Sequence, residues 1–152
     1  PLLPFTDVFM PNDDEARLIT GEGDPLRQAE ILLSCGAGTV VITLGARGAV
    51  ACTPERRLRA GAFKVDVVDP SGGGDAFAAG YIAGLLHGWD LRRTLELASA
   101  VGASCCTRLG CTAGVFTWDE ALTFLGRNRI EAATAWSRTG RGRAQMNAER
   151  TR

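Results

Sequence analysis

Strands and helices alternate along this chain, and the alternation predicts an α/β fold: a layered α/β/α arrangement with helices on both faces of a largely parallel sheet. Two further observations agree. Residues 39–44 are an uninterrupted apolar, β-branched run, as expected of a strand buried on both faces. Gly72, Gly73 and Gly74 stand between a β-branched segment and a helix opening at Asp75. In open α/β sheets, ligands bind at such strand–turn–helix joins.

The elements follow in order. Residues 8–10 read as a strand end, and residues 13–19 as a short helix closed by Gly21. Asp24 caps a helix with Pro25 in its first position, running to about residue 34 and stopped by Gly36. The strand at 39–44 turns through Gly45, Ala46, Arg47 and Gly48 into another at 49–53, and residues 57–60 and 63–68 add strand pieces. A helix from about 75 to 87 carries Phe77, Ala78, Ile82, Leu85 and Leu86, and Asp90 caps the next, to about residue 107. Thr117-Trp118-Asp119-Glu120 is a capping box that opens a helix to residue 125. Beyond Gly126 the pattern degrades, apart from a short helix expected around 130–136.

At 152 residues, 45% hydrophobic and with no net charge, the chain suits one globular domain and neither a disordered nor a fibrous one. Residues 126–152 hold seven arginines against two glutamates, which reads as a basic, weakly structured tail in preference to an RNA or membrane contact. Five cysteines without C-x-x-C spacing, and His87 as the one histidine, give a zinc site little to work with. Reduced thiols in a cytoplasmic protein are the economical reading. His87 suits a helix end, Trp89, Trp118 and Trp136 look scattered, and Cys105-Cys106 looks like packing. No apolar run reaches the roughly 18–20 residues that cross a membrane, and no signal peptide is visible. The first residue is Pro1, not methionine, so the expectation is a chain entered midway.

Chemistry concentrates in Asp69-Pro70-Ser71-Gly72-Gly73-Gly74-Asp75. No Gly-Lys-Ser/Thr of a P-loop follows, and Phe77 stands where a dinucleotide fingerprint needs glycine. One reading is a tight turn with Asp75 as an ordinary helix cap. The other is an anion site, with bare N–H groups at the positive end of a helix dipole and a carboxylate beside them to take a proton. Repeated glycine favours the second, since each extra one costs about 0.5–1 kcal/mol unless close backbone approach is needed. Asn12 and Glu15, three apart at a helix start, suit either a cap or oxygens that hold hydrated magnesium over a polyphosphate. Thr43, two residues before Gly45 and five before Gly48, suits either a hairpin or a phosphate-facing turn.

In this order the three segments resemble the ribokinase-like (PfkB-type) carbohydrate kinases, which carry N-x-x-E, then T-x-G-x-x-G, then D-T-x-G-A-G-D. The likeness covers about residues 7–125, and its last motif is highly specific. It implies the ribokinase-like fold and ATP-dependent phosphorylation of a hydroxyl on a sugar, sugar acid or nucleoside, with Mg2+. By the resemblance, Asp75 is the base, and the N–H groups of Gly72, Gly73 and Gly74 form the anion hole for the transferring phosphoryl group. Thr43, Gly45 and Gly48 would line the ATP phosphates, and Ser99, Gly102 and Gly110 would lie around the adenine. Asn12 and Glu15 would orient magnesium, and Asp69 and Ser71 would hold a monovalent cation such as K+.

Two departures stand out: Pro70 replaces the usual threonine, and Gly73 the usual alanine. Family members run to about twice this length, their first half carrying most of the sugar pocket and a small β lid. The expectation is therefore residues 1–125 as the C-terminal half of such a kinase and 126–152 as a tail. Alone it should be a poor enzyme, since half a pocket neither aligns an acceptor nor excludes water. Family dimers often pair through the lid, so a homodimer is expected of a full-length form only, with neither nucleic acid nor membrane as partner. The competing readings are a nucleotide-binding module without transfer activity and a truncated, inactive fragment.

Overall fold

The computed structural model describes residues 2–130 and the backbone of residues 132–137. The elements are β1 (Val8–Phe9), α1 (Asp13–Thr20), α2 (Pro25–Ser34), β2 (Thr39–Thr43), β3 (Ala49–Cys52), β4 (Arg56–Ala60), α3 (Gly73–Leu86), α4 (Leu91–Cys105), α5 (Trp118–Arg127) and β5 (Ala132–Ser137). The strands form one sheet in sequence order, β1-β2-β3-β4-β5.

Successive side chains of a strand point to opposite faces, and β2 supplies apolar groups to both. Val40 and Ile42 join Val50 and Cys52 against Ala16 of α1 and Ala29 and Leu32 of α2. Val41 joins Ala49, Ala51 and Leu58 against Phe77 and Tyr81 of α3 and Leu95 of α4. Helix α5 packs on the outer side of α4 through Ala121, with Leu97 and Val101. Helices thus cover both faces, and the expected α/β/α layering holds. Val40, Val41 and Ile42 are fully buried, and each contributes about 1.5–3 kcal/mol. That burial anchors the turn that follows β2.

The caps follow the expected chemistry. Asn12 and Glu15 form a reciprocal capping box on α1, with Gly21 in the left-handed conformation at its end. Asp24, Asp90 and Thr117 cap α2, α4 and α5.

Four expectations need correction. The sheet is mixed, not largely parallel. Only β1–β2 is parallel, whereas β2–β3, β3–β4 and β4–β5 are antiparallel. The connections after β2 and β3 are too short for a crossover and return the chain as hairpins. Residues 63–68 form no strand: β3 and β5 already occupy both edges of β4. The segment runs instead to the end of α4, where Val68 N–H donates to Cys106 O at 2.8 Å. The short helix expected at 130–136 is β5, because the vacant edge of β4 overrides the helix propensity of three alanines. Trp89 and Trp118 are not scattered. Their ring centroids lie 5.4 Å apart, His87 stacks on Trp118 at 4.0 Å, and Arg93 caps Trp89. This cluster joins α3, α4 and α5 at the end of α3 remote from the glycine turn. The last part of the basic tail, residues 138–152, and Trp136's side chain lie outside the described residues.

Candidate functional site

Helix α3 starts at Gly73, one residue after Gly72, which takes a left-handed φ of 76° as the N-cap. A Cβ on Gly72 would lie 2.7 Å from Cys111 Cβ, and one on Gly73 would lie 2.9 Å from Cys106 Sγ. Packing therefore accounts for glycine at both positions, including the departure at Gly73. Gly74 is different, since a Cβ there would meet nothing within 4 Å. Its absence keeps the first helical turn open.

Among the described residues no acceptor takes the N–H of Gly72, Gly74 or Asp75, while that of Gly73 makes a long 3.3 Å bond to Pro70 O. Free N–H groups at a helix start carry partial positive charge and favour an anion. Asp75 is not the helix cap but a first-turn residue. It is exposed and makes no hydrogen bond or ion pair among the described residues.

Asp69 ties the turn to the loop beyond α4. Its Oδ1 accepts from Ser71 N at 2.9 Å and its Oδ2 from Gly110 N at 2.9 Å. The Ser71 hydroxyl, then the N–H groups of Gly110 and Ser71, hold the Asp69 carboxyl below the ordinary carboxylate range. Asp69, Ser71 and Gly110 thus form one group, and Gly110 lies outside the cavity wall described next.

Thr43 ends β2, and Gly45 (φ 57°) and Gly48 (φ 92°) shape the turn that follows. A Cβ on Gly48 would sit 2.0 Å from Ala60 O, so only glycine fits. The hairpin and the phosphate-facing readings of this motif are compatible, because the turn reverses the chain and also faces the cavity. Asn12 bridges to Thr43 as an isolated parallel pair, through Thr43 N–H to Pro11 O at 3.1 Å. An ion pair from Arg47 to Asp13 joins the same two segments. The capping box uses Asn12 Oδ1 and Glu15 Oε2, leaving Glu15 Oε1 without a hydrogen bond among the described residues. No group of three or more potential metal ligands occurs among the described residues. A single carboxylate still fits magnesium, which keeps most of its waters and leans on substrate phosphates.

Between these turns lies a cavity of about 570 Å3, within the usual range for small-molecule sites. Thr43, Gly45 and Gly48 line one side, Gly73 and Gly74 the helix end, and Ser99 and Gly102 of α4 the back. Ser99 Oγ is buried and has no hydrogen-bond partner, a state that calls for a ligand or water. Open glycine, the bare N–H of Gly74 and an unsatisfied hydroxyl on one cavity fit a nucleotide polyphosphate. Asp75, Gly72, Asn12, Glu15, Asp69 and Ser71 lie outside its lining. Lining residues to which the sequence assigns no site role include Ala62, Ala103, Cys106 and, in a segment of strand composition, Phe63, Lys64, Val65 and Val67. Cys106 was legible in principle, being seven residues from Ser99, two helical turns on, at the C-cap of α4.

Comparison with known proteins gives the family and the fold. The pfkB family carbohydrate kinase profile matches residues 1–118. The chain is 38% identical over 102 residues to ATP-dependent 6-phosphofructokinase of Thermoanaerobacterium thermosaccharolyticum, covering 67% of this chain and 32% of that protein. It is 35% identical over 129 residues to 2-dehydro-3-deoxygluconokinase of Bacillus subtilis, covering 84% of this chain and 40% of that one. Among solved structures, a putative ribokinase II of E. coli in complex with ATP and Mg2+ superposes with a TM-score of 0.77 at 32% identity, covering 84% of this chain and 41% of that chain. The fold is that of the ribokinase-like kinases. The chain belongs to the PfkB family of carbohydrate kinases, and it spans less than half the length of these relatives. Among the described residues no helix is long and apolar enough to cross a membrane.

Proposed function

We propose that residues 1–125 are the nucleotide-binding and phosphoryl-transfer portion of an ATP-dependent kinase acting on a hydroxyl of a sugar, sugar acid or nucleoside. One observation carries this reading: two glycine turns some thirty residues apart in sequence line a single cavity at the N-terminus of α3. Phosphoryl transfer asks mainly for positioning and charge stabilisation, and this arrangement supplies both. The N–H groups at Gly72, Gly73 and Gly74 face the phosphoryl group being transferred, and Asp75 takes the acceptor's proton. Thr43, Gly45 and Gly48 lie along the polyphosphate, with Ser99 and Gly102 towards the base. Asn12 and Glu15 orient magnesium and its waters. Asp69, braced by Ser71 and Gly110, is the candidate for a neighbouring monovalent cation.

Titration of Mg-ATP into this chain, beside phosphate transfer to a panel of sugars and nucleosides, tests the reading. ATP binding with weak transfer here and strong transfer in a longer form bearing the same residues is the expected result. Binding without transfer in every form would identify a nucleotide-binding module. No binding at all would sink the proposal.

A further inference from the structure

Three thiols surround the glycine turn. Cys111 packs on Gly72 and Cys106 on Gly73. Cys105 donates to Cys111 O at 3.1 Å and to Ser71 O at 3.5 Å. Among the described residues only Cys106 of the five cysteines lines the cavity. Ser99 and Gly102 share one face of α4, and Cys106, the residue capping its C-terminus, follows at helical spacing. The Cys106 sulfur donates to Gly102 O at 3.4 Å and lies 2.9 Å from where a Gly73 methyl would sit. Ser99, a residue 7% exposed whose Oγ is unpartnered, belongs to the same wall and marks it independently as ligand-receiving.

We propose that Cys106 is a covalent modification site for soft electrophiles, and that its adduct closes the cavity to polyphosphate. The proposal rests on the reading of this cavity as a nucleotide site. Gly73 and the Gly102 carbonyl lie against the sulfur, and Cys106 shares the lining of the cavity with Gly74, so atoms added to the sulfur compete for that space. With an α-haloamide, the thiolate sulfur attacks the methylene carbon. An S–C bond forms as the carbon–halogen bond breaks, halide leaves with the electron pair, and the thiol proton passes to solvent.

The other thiols suit this role less well. Cys52 and Cys105 are fully buried, and burial raises both, Cys52 to about 11. Cys35 is exposed at the end of α2, on the opposite face of the sheet. Cys111 is exposed but lies off the cavity.

The test treats the 152-residue chain with iodoacetamide, maps adducts by peptide mass spectrometry, and titrates Mg-ATP before and after. Mg-ATP should slow labelling at Cys106 about tenfold, leave Cys35 unaffected, and bind the Cys106 adduct about tenfold more weakly. Cys106→Ser should keep its own starting affinity through the treatment, whereas Cys111→Ser should lose affinity as the parent does. If Cys106→Ser does not fold, ATP protection and the affinity of the Cys106 adduct decide on their own. Unlabelled Cys106, an adduct that binds ATP undiminished, or a Cys106→Ser variant that loses affinity on treatment as the parent does would overturn the proposal and leave the nucleotide reading intact. An untreated chain that does not bind Mg-ATP would overturn both.

Discussion

A methyl at Gly73 would meet the Cys106 sulfur at 2.9 Å, whereas one at Gly74 would meet no atom within 4 Å. Gly74→Ala should therefore leave the chain folded and even raise its melting temperature slightly, since alanine is favoured over glycine in a helix by up to about 1 kcal/mol. Mg-ATP affinity should fall about tenfold, because the methyl intrudes on the proposed phosphate cradle. Melting curves and titration calorimetry check the two halves of that outcome. Asp69 makes a second residue-scale prediction. A carboxylate depressed in the folded state gives stability that is complete above its unfolded value, about 3.9, and lost as pH falls through the folded value. The gap in melting temperature between the parent and Asp69→Asn should be constant from neutral pH to about pH 5 and close below about pH 4. A gap independent of pH would contradict the bracing role. The roles proposed for Asp75 and Gly74 were legible because a contiguous motif carries them. The Asp69–Gly110 link was not, since nothing in a sequence announces which of many loop N–H groups a carboxylate will meet 41 positions away.

Helices α3 and α4 are held close by glycines that the sequence pattern did not single out. A Cβ on Gly80 would lie 2.9 Å from Ala98 Cα, and one on Gly84 would lie 2.9 Å from both Thr94 Cγ2 and Oγ1. Gly84→Ala gains helix propensity yet should destabilise the chain by about 1–3 kcal/mol through overpacking, measured by denaturant unfolding. A variant as stable as the parent would show that the two helices can part without cost. That α3 is a helix was readable, but its orientation was not. The helix is apolar nearly all round, burying Phe77 and Tyr81 while leaving Ile82, Leu85 and Leu86 exposed, so periodicity marks no buried side. Strand direction was misjudged for a related reason. The apolar run of β2 reports burial on both faces, which hairpins between two helical layers achieve as well as parallel crossovers do. Residues 63–68 have strand composition but no edge to join, and the alanines of β5 have helix composition but an edge that recruits them. Tertiary pairing decided both.

At the scale of the molecule, membership of the PfkB family follows from the profile match and the shared fold, while the chain spans less than half of its relatives' length. The three motifs are far apart in sequence, and the fold gathers them because each follows a strand or precedes a helix at one end of the sheet. The choice of acceptor was not legible from these residues. The cavity lined by the two glycine turns is the one proposed for the nucleotide, and Asp75 stands outside it, exposed at the start of α3. The decisive measurement is ATP-dependent phosphate transfer by the longest form of the protein that bears these residues, compared with its Asp75→Asn variant, with Mg-ATP affinity measured alongside. If Asp75 is the base, turnover falls by about 10²–10⁴-fold while Mg-ATP still binds. Turnover at the parent rate would contradict the assignment of the glycine turn and Asp75 as the centre of phosphoryl transfer.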